Sequence, residues 1–178
     1  MSIRQLIRPD HCLDSVLDLS AEQLAAWGIR ALLMDADNTL VPRNAYHLEP
    51  ATRDWLLSLQ AAGIGLCILS NSAQPRKVAR MVAELGIPTL ALARKPARSG
   101  FRRALTALGV QPHEAAMVGD QLFTDIVGGN RMGLRTILVR PCSDNDFIVY
   151  RLHGRTKMVR RPMRSEEHTS ELQSHLNL

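Results

Sequence analysis

The chain has 178 residues, 46% of them hydrophobic and 22% charged, with a formal charge of +5, as expected for a globular protein of one domain with a sizeable core. No apolar run nears the ~20 residues of a bilayer-spanning helix. The opening Met1-Ser2-Ile3-Arg4-Gln5-Leu6 lacks the apolar stretch of a signal peptide, and a cytoplasmic location is expected.

Ser20-Ala21-Glu22-Gln23 is a capping-box pattern, and Gly28 closes the short helix it opens, so residues 1–28 read as a helical lead-in. Ile29 to Asp35 then reads as a strand. Pro50 suits a first helical turn, and Trp55, Leu56 and Leu59 share one face before Gly63 stops the helix. Strands are expected at Ile64–Leu69, Thr89–Ala93, Ala115–Val118 and Arg135–Val139. Helices are expected at Pro75–Leu85, Gly100–Leu108 and Leu122–Met132. The strands are near-continuous apolar runs alternating with helices, which predicts a doubly wound, mostly parallel α/β sheet. Cys12, Cys67 and Cys142 are odd in number and far apart, which argues against a disulfide framework or a zinc site; Cys67 falls inside a strand and reads as core. His11, His47, His113 and His153 show no ligand spacing and read as surface residues.

The run Arg164-Ser165-Glu166-Glu167-His168-Thr169-Ser170-Glu171-Leu172-Gln173-Ser174-His175 is what a widely used sequencing-adapter DNA encodes when read in frame. Residues 164–178 are therefore set aside as an assembly artefact, expected to be disordered, and the natural C-terminus is expected to be missing. They hold one Arg and three Glu, so residues 1–163 carry +7. This leaves a core over 29–155 and a basic segment over 156–163.

Ligands of such sheets sit beyond the C-terminal ends of the strands. Polar residues collect there at four successive strand ends: Asp35 and Asp37, then Ser70 and Asn71, then Lys95, then Asp120 and Asp125. Two carboxylates two residues apart on a strand point the same way, and like charges so close require a cation, a proton or both. A carboxylate nucleophile, a second carboxylate for proton transfer, a hydroxyl, a lysine and further acids for a metal make a complete phosphoryl-transfer site.

The order Asp35-x-Asp37-x-Thr39, Ser70, Lys95-Pro96 and Gly119-Asp120-x-x-x-x-Asp125 resembles the haloacid dehalogenase-like hydrolase superfamily. Asp-Ala-Asp-Asn-Thr-Leu, Leu-Ser-Asn-Ser, Ala-Arg-Lys-Pro and Gly-Asp-Gln-Leu-Phe-Thr-Asp-Ile are similar to its subfamily IIIA. More narrowly they resemble the YqeG-like branch, related to phosphatidylglycerophosphate phosphatases, as does Gly128-Gly129-Asn130-Arg131. The likeness runs from about Ile7 to Arg155.

The resemblance implies a Rossmann-like core and a role for each residue. Asp35 attacks phosphorus and forms an aspartyl phosphate, and Asp37 is the general acid and base. Mg²⁺ is held by Asp35, the backbone carbonyl of Asp37 and Asp120, with Asp125 supporting the metal from behind or capping its helix. Ser70, Asn71, Lys95 and Thr39 bind the phosphoryl group, Thr39 alternatively only bracing the turn. Arg131 reaches a second substrate group or lies on the helix surface.

Between Leu40 and Ile64 there is room for one loop and one helix, and between Ser70 and Lys95 for one helix and one strand. Relatives insert cap domains at these two places. No cap is expected here, and an open site suits a phosphate on a large or surface-bound substrate. Arg140, Arg151, Arg155, Lys157, Arg160 and Arg161 crowd the end of the credible chain, as a lipid-binding segment, an RNA contact or a solvated face. Only Phe147 and Tyr150 interleave them, which is poor support for nucleic acid.

The first reading is thus a Mg²⁺-dependent phosphomonoesterase, best on phosphatidylglycerophosphate, acting in the cytoplasm or peripherally at the inner face of an anionic membrane. A small-molecule phosphatase and an RNA- or ribosome-binding scaffold are the alternatives, although a scaffold has no use for Asp37. A response-regulator receiver is excluded because its acid pair and acceptor aspartate lie on different strands. A dehalogenase is excluded because it does not need Asp37.

Overall fold

The computed structural model describes residues 2–43 and 45–142. The basic segment 156–163, residues 164–178 and His153 lie outside the described residues, as does the stretch of the expected core beyond Cys142. In chain order the elements are α1 (Ile3–Leu6), β1 (His11–Leu13), α2 (Ala21–Ala26), β2 (Ala31–Met34), α3 (Pro50–Ala61), β3 (Gly65–Leu69) and α4 (Pro75–Met81). They continue with β4 (Thr89–Leu90), α5 (Arg98–Leu108), β5 (Ala115–Gly119), α6 (Val127–Met132) and β6 (Arg135–Val139).

The six strands form one sheet in the order β1-β6-β5-β2-β3-β4, and every pairing is parallel. β2 is central, with Ala31 opposite Gly65 on one side and Ala115 on the other. All four of its residues are buried, because both faces are covered. Leu32 and Met34 pack with Leu66, Ile68, Val118 and the inner faces of α2, α3 and α4. Ala31 and Leu33 point the other way, against Cys67, Met117 and the α5 residues Phe101, Ala104 and Leu105. Cys67 is fully buried, as its strand position requires.

The chain leaves β2 toward β3 on one side, and β5 lies on the other, so the topological switch falls between β2 and β5. Among the described residues no strand or helix intervenes between β2 and α3.

Five local expectations need correction. The lead-in over 1–28 is not purely helical: His11–Leu13 joins β6 at the sheet edge, His11 opposite Ile137. Three residues are too few to show an alternation, and this strand exists only through a partner more than a hundred residues away. The attachment is specific, since Asn130 Nδ2 donates to the Leu6 and Arg8 carbonyls at 2.8 and 3.0 Å and Thr136 N–H donates to Asp10 Oδ2 at 2.8 Å. His11 is not simply on the surface, because its ring stacks on Trp27 at 3.7 Å. The helix after Pro75 gives way to a tighter 3₁₀ turn at Ala83–Leu85, and β4 ends at Leu90 because Leu92 adopts φ +50°. The expected helix from Leu122 opens as a π-turn over Leu122–Ile126 before α6.

Candidate active site

β2 continues its ladder one residue past the strand, Asp35 N–H donating to the Val118 carbonyl at 2.9 Å. The chain then folds back tightly. Ala36 O accepts the Leu40 and Val41 amides at 3.0 and 3.2 Å, and Asn38, at φ +63°, donates to Val41 O at 2.6 Å. Asparagine tolerates this left-handed conformation better than most residues. The turn holds Asp35 and Asp37 at the switch crevice.

Lys95 is the electrostatic centre. Its Nζ lies 2.7 Å from Asp35 Oδ1 and 2.8 Å from Asp125 Oδ1, and its side chain is 1% exposed. Asn71 clamps the lysine backbone, Oδ1 accepting the Lys95 amide at 2.7 Å and Nδ2 donating to the Lys95 carbonyl at 3.0 Å. Asp125 sits on the π-turn, where Gln121 N–H donates to its Oδ2 at 3.1 Å. Gly119 makes room for it, since a Cβ there would overlap the Asp125 carboxylate. A π-turn is a common device for placing a side chain at a functional site.

Asp35, Asp120 and Asp125 each offer a carboxylate oxygen within 4.8 Å of the others, all three residues being buried. One lysine cannot neutralise three acids. Burial, opposed by Lys95 and reinforced by Asp125, pushes Asp35 up to about 6. Burial, then the charges of Asp35 and Asp125, pushes Asp120 up to about 7. An all-oxygen donor set with surplus negative charge fits a hard divalent cation.

The raised carboxyls of Asp35 and Asp120 couple folding to pH. Both acids hold protons in the folded state at pH values where the unfolded chain has released them, so stability is highest below pH ~4 for these groups and falls as pH rises toward ~7. Without divalent ions, the melting temperature is expected to drop between pH 5 and 7.5, and Mg²⁺ is expected to restore most of the loss at the upper end. A flat profile in chelator would contradict the assignment.

A cleft of about 290 Å³ opens beside this cluster, lined by Asp35, Asp37, Ser70, Asn71 and Lys95 together with Arg43, Ser72, Gln121 and Thr124. Ser70 is buried, and its Oγ accepts the Ser72 amide at 3.0 Å. Thr39 places its hydroxyl 3.5 Å from Asp120 Oδ1, beside the acids, and is not among the residues lining this cleft. Arg131 donates to the Pro96 carbonyl at 3.3 Å.

Asp37 has a partner that no sequence pattern announced. Lys77, on the first turn of α4, places Nζ 3.2 Å from Asp37 Oδ1 and bonds the Arg43 carbonyl. Only the tertiary fold brings this helix over the β2 loop. Arg43, Gln121 and Thr124 lie within a few residues of the motifs, and that adjacency was the available signal.

A family profile described as HAD-hydrolase-like matches residues 92–143. Over 151 residues the chain is 32% identical to the probable phosphatase YqeG of Bacillus subtilis (strain 168), spanning 85% of this chain and 87% of that protein. It is 36% identical over 126 residues to chloroplastic phosphatidylglycerophosphate phosphatase 1 of Chlamydomonas reinhardtii, spanning 66% of this chain but 47% of that longer protein. The cobalt-bound deoxy-D-mannose-octulosonate 8-phosphate phosphatase of Haemophilus influenzae superposes with a TM-score of 0.54 over 70% of this chain and 74% of that one. At 18% identity this is a likeness of fold alone.

Proposed function

The chain belongs to the haloacid dehalogenase-like hydrolases and is a phosphatase, and we propose that it is a Mg²⁺-dependent phosphomonoesterase acting on phosphatidylglycerophosphate through an aspartyl phosphate at Asp35. The observation that carries the mechanism is Asp35 at the end of the central strand, 2.7 Å from Lys95, with Asp120 and Asp125 beside it and Asp37 in the same cleft.

Asp35 Oδ attacks phosphorus, an O–P bond forms, and the ester O–P bond breaks. Asp37 delivers a proton to the departing alkoxide. The same carboxylate then takes a proton from water as the water oxygen attacks phosphorus, which frees inorganic phosphate and restores Asp35. Lys95 balances charge on Asp35 and on the phosphoryl oxygens throughout. Ser70 and the amides near it donate to those oxygens. Lys77 holds Asp37 beside the leaving group. Asp35, the Asp37 carbonyl and Asp120 would hold Mg²⁺, with Asp125 and Thr39 bracing that set; the ion supplies positive charge for the transferred group.

The substrate reading rests on the relatives and on access. The Chlamydomonas relative is named for phosphatidylglycerophosphate, and the short connection between β2 and α3 leaves the cleft open to a headgroup presented at a membrane. Phosphate release with Mg²⁺ should be compared between phosphatidylglycerophosphate in mixed micelles and soluble nucleotide and sugar phosphates. A kcat/KM preference of at least about tenfold for the lipid is expected, which corresponds to ~1.4 kcal/mol. Equal or faster turnover of soluble esters would make this a general small-molecule phosphatase, and no release from any ester would return the scaffold reading.

A further inference from the structure

Three large apolar side chains stand out in water on the segments that follow β2, β4 and β5: Tyr46 at 60%, Leu92 at 57% and Phe123 at 56% exposure. Each is carried by a loop that also carries the site. The Tyr46 ring lies 5.2 Å from the Lys77 ammonium, which reaches Asp37. Leu92 precedes Ala93, whose N–H donates to the Ser70 carbonyl at 3.0 Å. Phe123 falls between Gln121 and Thr124, both of which line the cleft.

Folding alone does not account for Leu92. It holds a leucine at φ +50°, a conformation costly for a residue with a Cβ, and buries little of the side chain in return. The charges nearby are one-sided. On the described loops after β2, β3, β4 and β5, the exposed cations include Arg43 and Arg94, with exposed Arg98 opening α5 just beyond, whereas Glu49 is the one exposed acid. Asp35, Asp120 and Asp125 are buried.

We propose that this apolar and cationic rim is a docking surface for an anionic lipid bilayer. The three apolar tips enter the headgroup layer, the guanidinium groups meet lipid phosphates, and the cleft faces the membrane. None of the helices among the described residues is long and apolar enough to cross a bilayer. The inference rests on the reading of a membrane-borne phosphate ester as substrate.

The test is co-sedimentation of the full chain with vesicles of phosphatidylcholine alone and of phosphatidylcholine with phosphatidylglycerol. Binding is expected to the anionic vesicles only. The Leu92→Ser/Phe123→Ser double variant is expected to bind them at least about tenfold more weakly, while its turnover of soluble para-nitrophenyl phosphate stays at the wild-type level. Arg94→Glu/Arg98→Glu is expected to weaken binding in the same direction.

Unchanged binding by the apolar double variant would overturn the proposal and place the lipid contact elsewhere in the chain. Failure of the wild-type chain to bind anionic vesicles, or equal binding to both vesicle types, would overturn it as well. Rim-dependent binding without hydrolysis of phosphatidylglycerophosphate would uphold the docking surface and sink the substrate reading, so the two failures are distinguishable.

Discussion

Asp35→Asn is expected to lower phosphatase turnover at least about a thousandfold while leaving the metal-free protein as stable as the wild type or more so. Asparagine fills nearly the same space at this buried position but cannot attack phosphorus. The stability half of the expectation comes from electrostatics. Burial disfavours charge on Asp35, and that charge also raises Asp120. Removing it relieves both penalties, and Lys95 keeps Asp125 at 2.8 Å as a partner. Phosphate release and thermal melting in chelator check the two halves. Full activity in this variant would falsify the mechanism; lost activity with a collapsed melting temperature would mean that Asp35 serves the fold.

Lys95→Met is expected to act in the opposite sense, destabilising the folded chain by about 3–5 kcal/mol at pH 7 in chelator. Methionine matches the aliphatic stem, so the packing loss is small. What remains are Asp35 and Asp125, 5% and 0% exposed, with no cation between them. For a domain of this size ~2–4 °C of melting temperature accompanies each kcal/mol, so a fall on the order of 10 °C is expected. Acidification toward pH 5 should recover part of it, because protonation removes the stranded charge, and a divalent ion should do the same by supplying one. A variant as stable as wild type at neutral pH would show that the lysine is not what compensates the buried acids. A loss that neither acid nor metal recovers would point to packing instead.

The sheet was legible wherever burial is two-sided. The runs that became β2, β3, β5 and β6 are apolar at nearly every position because helices cover both faces, and such runs need no partner to be recognised. β1 was not legible: His11-Cys12-Leu13 is a strand only because β6 offers it an edge, and nothing local distinguishes it from a loop. The site divides similarly. Asp35, Asp37, Ser70, Asn71, Lys95, Asp120 and Asp125 follow strand ends, and the parallel sheet brings all strand ends to one side. Lys77 sits on a helix whose path over the β2 loop depends on tertiary packing, so its link to Asp37 was invisible. Thr39 lies within a motif, yet its side-chain direction depends on the turn at Asn38, which sets its hydroxyl 3.5 Å from Asp120 Oδ1. The π-turn at Leu122–Ile126 has the composition of an ordinary helix; its backbone bonds five residues apart, Ile126 N–H to the Gln121 carbonyl and Val127 N–H to the Leu122 carbonyl, separate it from one.

The central claim is that phosphorus passes through the carboxylate of Asp35. The most direct test uses Asp37→Asn, in which the water step lacks its base and the phosphoenzyme should accumulate. The variant is mixed with phosphate ester and Mg²⁺, quenched in acid during turnover and reduced with borohydride, which converts a phosphorylated aspartate to homoserine. Mass spectrometry of the peptide spanning 31–43 is then expected to find homoserine at position 35, dependent on both ester and Mg²⁺. Phosphate found on Ser70 or another side chain, or an unmodified position 35 while product is still forming, would contradict the account.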